Sequence, residues 1–118
     1  MIIKFFKIIL IFFFIPNCLF AKPEFFQEGM TLYNKNKLED ARFKFEQDIV
    51  YNPKSELSYL YLSKIFNKQD KKRLEEKNLN TVMLLNPKNE EAVYNLARLK
   101  LRSSDYEKSK VLNNPRLK

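Results

Sequence analysis

Histidine and tryptophan are missing from this 118-residue sequence, glycine occurs once, and the single cysteine is Cys18. Without histidine the chain has no Ser-His-Asp triad and none of the usual zinc sites. A single glycine is too few for a glycine-rich phosphate loop. With one cysteine there is no disulfide within the chain, so its stability must come from packing. We therefore expect a protein that is not an enzyme and that binds no cofactor and no metal.

Basic residues outnumber acidic ones, with 22 lysines and arginines against 14 aspartates and glutamates. Such an excess is common in proteins that bind nucleic acid or anionic membranes. Here the lysines alternate with acidic residues along amphipathic stretches, which is typical of solvated helix faces. We expect no nucleic-acid partner, and contact with anionic lipid or cell-wall polymer is the alternative to protein binding.

Residues 1–21 have the composition of a secretory signal peptide. Lys4 and Lys7 precede an apolar run over residues 8–15, and small Ala21 ends the segment. Three interpretations stay open: cleavage after Ala21, lipidation of Cys18, and an uncleaved apolar anchor, although the run is shorter than the roughly 20 residues of a membrane span. We expect an exported protein of the periplasm or cell envelope that contacts membrane only through this leader or through a lipid on Cys18.

The rest of the chain carries an internal repeat. Asn52-Pro53-Lys54 recurs as Asn86-Pro87-Lys88, thirty-four residues later. Apolar residues between these turns recur at three- and four-residue steps, which is the spacing of amphipathic helices. A fixed period in this range is typical of stacked helical repeats.

The turns inside each repeat are predicted from polar residues. Asn36 and Asp70 are expected to be the N-caps of the second helix of the first and second copies. Ser104 and Glu107 have the spacing of a capping box, which predicts a short last helix before Asn113. The predicted plan is a leader at 1–21, a repeat domain at 22–112 divided into 22–55, 56–89 and a partial 90–112, and a tail at 113–118.

Small, aromatic and proline residues fall in register between the copies. They are Phe25, Gly29, Ala41, Phe45 and Pro53 in the first copy, Tyr59, Ser63 and Pro87 in the second, and Val93 and Ala97 in the third. This pattern resembles the tetratricopeptide repeat family. The resemblance implies an all-α fold, a right-handed α-solenoid of two and a half helical hairpins behind an apolar signal helix. Asp48, Glu75 and Lys100 depart from the family pattern and put charges near helix seams, so we expect the second hairpin to be looser.

The resemblance also implies a concave groove lined by the first helix of each hairpin. The side chains expected to face it are Phe26, Met30, Tyr33, Leu60, Lys64, Asn67, Lys68, Tyr94, Arg98, Leu101 and Arg102. One end of this set is aromatic and the other is basic, which suits a peptide with an apolar part and an acidic end. Core packing is the open alternative for Phe26 and Met30.

The function expected on these grounds is a non-catalytic protein–protein interaction module, a scaffold, adaptor or assembly factor of the bacterial cell envelope that binds a peptide in its groove. The alternative is a lipid-anchored structural protein of the envelope that self-associates through its repeats. The expected partner is accordingly another protein or peptide, or a second copy of the chain.

Overall fold

The computed structural model describes residues 24–114 and residue 116. Within these residues the chain forms five helices and no strand, so the all-α expectation is confirmed. The helices are α1 Phe25–Asn34, α2 Leu38–Tyr51, α3 Glu56–Lys68, α4 Lys72–Leu85 and α5 Glu90–Leu112. In this described part, no helix combines the length and the apolar character needed to cross a bilayer. The predictions for the leader, including cleavage after Ala21 and lipidation of Cys18, lie outside the described residues.

The helix boundaries repeat with the thirty-four-residue period of the sequence. α2 and α4 have the same length, 14 residues, and begin at Leu38 and Lys72. α3 and α5 begin at Glu56 and Glu90, and each follows an Asn-Pro turn. The described chain is therefore two helical hairpins, α1–α2 and α3–α4, followed by α5.

Each hairpin reverses at a residue with left-handed backbone. Asn36 has φ 58° and Asp70 has φ 54°, a region that asparagine and aspartate tolerate better than most residues. The N-caps of α2 and α4 are Lys37 and Lys71, which make no side-chain cap bond. The prediction that Asn36 and Asp70 are N-caps is therefore wrong. Instead, each of them reverses the chain at the position just before the N-cap.

The third copy does not turn. Ser104 stands thirty-four residues after Asp70, yet α5 runs without interruption from Glu90 to Leu112 over 23 residues. The prediction of a new helix opened by the Ser104 capping box is wrong. A serine has no particular tolerance for left-handed backbone, so the helical conformation continues. The neighbouring Ser103 hydroxyl donates to the Leu99 carbonyl oxygen one turn back, at 3.0 Å.

Two clusters of buried side chains form the core, and α3 contributes to both. The first contains Ala41, Phe45, Leu62, Ile65 and Phe66. The second contains Leu60, Leu79, Val82, Ala92 and Leu99. Leu60 is 3 % exposed, so its expected position in the groove is wrong. It lies instead on the side of α3 that α4 covers.

The in-register positions of the repeat differ in burial from copy to copy. Gly29 and Ser63 are both buried, whereas Ala97, their counterpart on α5, is exposed. Phe25 and Tyr59 are half-buried, and their counterpart Val93 is exposed. The difference follows from the course of the chain, because no described helix folds back over this side of α5.

Two of the three charges that depart from the family pattern have polar partners in the fold, and the third forms a surface ion pair. Asp48 Oδ2 accepts hydrogen bonds from Ser55 Oγ at 2.6 Å and from Ser58 Oγ at 2.5 Å. Glu75 is 2 % exposed, and its carboxylate is bonded on both oxygens. Lys100 pairs with Glu76 at the surface.

Candidate functional site

A cleft of about 220 Å³ opens on the side of the molecule formed by α1, α3 and α5. We call it the basic cleft, and it is lined by Tyr33, Ser63, Lys64, Asn67, Lys68, Glu75, Glu91, Asn95 and Arg98. Five of the expected groove residues meet here, namely Tyr33, Lys64, Asn67, Lys68 and Arg98. The first helix of each hairpin and the start of α5 thus contribute to one concavity.

Helical spacing explains how these residues come together. Lys64 and Lys68 are four residues apart on α3, and Asn67 lies between them on the same side. On α5, Glu91, Asn95 and Arg98 follow one another at four- and three-residue steps. Two facing helices therefore each present one turn-to-turn row of polar side chains to the cleft.

The cations of the cleft lie over aromatic rings. Lys68 Nζ is 4.5 Å from the centroid of the Tyr33 ring. Lys64 Nζ is 4.6 Å from the Tyr61 ring and 2.7 Å from Glu91 Oε1. A ring face attracts a cation and leaves its outward hydrogens free for a ligand.

Lys68 and Arg98 are the two basic side chains of the cleft that pair with no carboxylate among the described residues. Within the described residues neither forms an ion pair, whereas Lys64 is paired with Glu91. The Arg98 guanidinium carbon is 5.9 Å from the Tyr94 ring centroid, at the outer edge of the cleft. Tyr94 is mostly exposed and does not line the cleft.

A buried carboxylate lies at the base of the cleft. Glu75 Oε1 accepts a hydrogen bond from Asn67 Nδ2 at 2.8 Å, and Glu75 Oε2 is 3.2 Å from Arg102 Nη2. Burying an ionised carboxylate is costly unless it is paired and hydrogen-bonded, and both conditions hold here. Arg102 therefore stabilises the α4–α5 contact. It does not line the cleft, contrary to the prediction.

Phe26 and Met30 do not reach the cleft. The Phe26 ring centroid is 5.8 Å from that of Phe45 and 6.0 Å from that of Tyr61. Met30 packs against the same first core cluster. Both side chains are half-buried against this cluster, which agrees with the core-packing alternative that the sequence left open. Leu101 is exposed on α5 and is not among the cleft residues.

Five residues at or near the cleft were not predicted as part of the groove: Tyr61, Ser63, Glu75, Glu91 and Asn95. Glu91 and Asn95 share a helix face with Arg98, so the helical period alone could have found them. Glu75 was recognised only as a departure from the family pattern. Its role depends on Arg102, 27 residues away, and no local pattern reports such a pairing.

The cleft is lined by lysine, arginine, asparagine and carboxylate side chains. Among residues 24–114 and 116, no cluster of histidine, cysteine, aspartate or glutamate has a geometry that could hold a metal ion. Lysine and arginine side chains form charge-assisted hydrogen bonds with carboxylates and phosphates.

No protein-family model matches this sequence, and a comparison with curated proteins finds no significant match.

Proposed function

We propose that this chain is a non-catalytic protein-binding module whose basic cleft takes an acidic segment of a partner polypeptide. The observation that carries the proposal is the pair Lys68 and Arg98. Both lie at one cleft, on facing helices, and neither is held by a carboxylate among the described residues. A carboxylate between them would complete two charge-assisted hydrogen bonds.

The apolar part of the ligand is expected to contact Tyr33 and Tyr94. Phe26 and Met30 pack against the first core cluster and do not line the basic cleft. Tyr33 lines the cleft, and Tyr94 lies beside Arg98 at its edge. An extended segment with an aromatic or aliphatic residue next to an acidic one fits this arrangement, since tyrosine offers an apolar face and a hydroxyl.

The finer architecture belongs to the same proposal. The repetition of helix boundaries every thirty-four residues supports a tetratricopeptide-like repeat, and we infer a right-handed α-solenoid of two such hairpins with α5 as a partial third. The leader supports a place in the bacterial cell envelope, where the module would act as an adaptor or assembly factor. Small repeat arrays expose their concave sides as extended binding surfaces.

Fluorescence anisotropy with synthetic peptides tests this proposal. The probes are a fluorescein-labelled peptide with a phenylalanine followed by four glutamates, and the same peptide with lysines in place of the glutamates. We expect the full chain to bind only the acidic probe, and the affinity to fall as salt is raised. The double variant Lys68→Glu/Arg98→Glu should weaken binding by roughly a hundredfold, given the strength of close charge pairs.

Lys77→Glu/Lys88→Glu is the matched control, because it makes the same charge change at exposed lysines outside the cleft. The affinity of this variant for the acidic probe should stay within about twofold of the wild-type value, because salt screens charges that lie far from the cleft. Equal loss in both double variants would show that the attraction is only to net charge. That result would contradict binding of the peptide in the basic cleft.

A further inference from the structure

The outer side of α5 carries a stripe of residues spaced at alternating steps of three and four. They are Tyr94, Ala97, Leu101, Ser104, Lys108 and Val111, and all six are exposed. The buried residues of α5, Ala92 and Leu99, lie on the opposite side of the helix. We call this row the α5 stripe. It is about 25 Å long at 1.5 Å per residue.

The corresponding side of α3 is covered by another helix. Tyr94 and Ala97 stand thirty-four residues after Leu60 and Ser63, which are buried. α4 packs over that side of α3, and Leu60 joins the core cluster that includes Leu79 of α4. On α5 no described helix takes the equivalent place. The α5 stripe is therefore a surface shaped to receive a helix.

We propose that a second copy of this chain supplies that helix, with the two α5 helices packed antiparallel about a two-fold axis between Leu101 and Ser104. Alternating steps of three and four are the spacing with which two helices pack along a shared seam. Ala97 and Ser104 are small, which lets the two backbones approach closely. A shallow depression of about 480 Å³ beside Ser104, Lys108 and Val111 receives Tyr94 of the second copy.

The charges beside the stripe favour this partner and this orientation. Arg98 and Asp105 flank one edge, and Lys100 and Glu107 flank the other. In the antiparallel pair Arg98 faces Asp105 of the second copy, and Lys100, which also pairs with Glu76 of its own chain, faces Glu107 of the second copy. The two-fold axis generates each contact twice, so four pairs of opposite charge form. Pairs of this kind set partner choice and orientation in helical assemblies.

The parallel arrangement is disfavoured by Lys108. In a parallel pair each residue of the stripe faces its own copy, which places Lys108 against Lys108. In the antiparallel pair Lys108 faces small Ala97, so its aliphatic stem packs while its ammonium group reaches solvent. The surface is thus complementary to itself in one orientation. Arg98 and Tyr94 belong both to this seam and to the edge of the basic cleft, so dimer formation and peptide binding compete for them. Leu101 does not line the cleft, so a substitution there tests the dimer separately from the proposed peptide site.

Sedimentation equilibrium of the full chain in a density-matched neutral detergent tests the proposal. The wild-type chain should be a dimer. Leu101→Glu should raise the dimer dissociation constant by roughly tenfold or more, because it puts a charge at the centre of the interface. Leu84→Glu is the control: Leu84 is 84 % exposed on α4, outside the stripe, and the variant should stay dimeric.

A charge exchange tests the orientation. Arg98→Asp and Asp105→Arg should each weaken the dimer, and the double variant should restore it, since the opposite charges again face one another. Circular dichroism checks that each variant keeps its helix content. A wild-type chain that is monomeric at every concentration, a Leu101→Glu chain that stays dimeric, or a double variant that is not restored would each overturn the proposal.

Discussion

Ser58 Oγ donates a hydrogen bond to Asp48 Oδ2 at 2.5 Å, across the seam between α2 and α3. Thirty-four residues later the same two positions hold Val82 and Ala92, both fully buried. The contact between α2 and α3 therefore contains a hydrogen-bonded polar pair, and the equivalent contact between α4 and α5 contains an apolar pair. The two solutions occupy equivalent places, which means that one can be exchanged for the other.

The double variant Asp48→Val/Ser58→Ala should unfold with nearly the wild-type free energy or be more stable. Replacing both partners of a hydrogen bond by apolar groups of similar shape is close to neutral. Ser55, the second donor to Asp48, is only half-buried, so its hydroxyl can bond to water in the double variant. Asp48→Val alone should cost about 1–3 kcal/mol, because it leaves the buried Ser58 hydroxyl without its carboxylate acceptor. Urea denaturation of the two variants measures the difference. A double variant less stable than Asp48→Val would contradict the equivalence of the two seams.

Arg102→Ala should destabilise the fold more than its exposed position suggests. Its loss leaves the Glu75 carboxylate buried with Asn67 as the remaining partner. We expect a cost of about 2 kcal/mol in the free energy of unfolding, reduced from the value for a fully buried pair because Arg102 is itself partly in solvent. Glu75→Gln in the Arg102→Ala background should recover part of the loss, since a neutral amide is cheaper to bury.

Lys100→Ala is the matched control for Arg102→Ala. It removes the ion pair between Lys100 and Glu76, which joins the same two helices at the surface. Exposed ion pairs contribute little, so the expected cost is below about 1 kcal/mol. Equal costs for the two variants in urea denaturation would mean that burial of Glu75 has no energetic consequence.

Gly29→Ala should destabilise the first hairpin although alanine favours helix. A Cβ at Gly29 would lie 2.8 Å from Phe45 Cε1, and the Phe45 ring is fully buried. Overpacking of this kind costs about 1–3 kcal/mol, against a gain of about 1 kcal/mol in helix propensity. The second repeat pairs Ser63 with Leu79 at these positions, so adding Phe45→Leu should restore stability. Thermal unfolding followed by circular dichroism measures both variants, and a stabilised Gly29→Ala would show that the ring moves aside.

Glycine substitutions distinguish the turns from the helix at equivalent positions. Asn36→Gly and Asp70→Gly should be neutral or stabilising, because glycine adopts their left-handed backbone without strain. Ser104→Gly should cost about 1 kcal/mol, since it lies within α5 and glycine is a poor helix former. Urea denaturation measures all three. A stabilised Ser104→Gly would instead indicate the turn that the capping-box pattern predicted there.

The sequence predicts well those features that depend on neighbouring residues. The Asn-Pro turns at Pro53 and Pro87 end α2 and α4, because proline disfavours helix at the residue before it. The helical period also placed Lys64, Lys68 and Arg98 on one side of the molecule. The capping-box pattern at Ser104 failed because a cap pattern states only that a helix can begin there. It does not supply the left-handed residue that ends the helix before it.

Features that depend on residues far apart in the chain could not be predicted from the sequence. For Phe26 the sequence left both the groove and the core open, because nothing local separates a core aromatic from an exposed one. In the structure it packs against Phe45 and Tyr61. Glu75 was expected to loosen its seam. The Asn67 and Arg102 side chains that satisfy it come from α3 and α5, so its environment is known only once the helices are packed.

Hydrogen–deuterium exchange of the full chain, with and without the acidic phenylalanine peptide, tests the central claim most directly. The account predicts slower exchange in the second half of α3 and around Glu91 to Arg98 of α5, with no change in α2. Protection confined to other helices, or no protection at a peptide concentration that saturates the anisotropy signal, would contradict binding in the basic cleft.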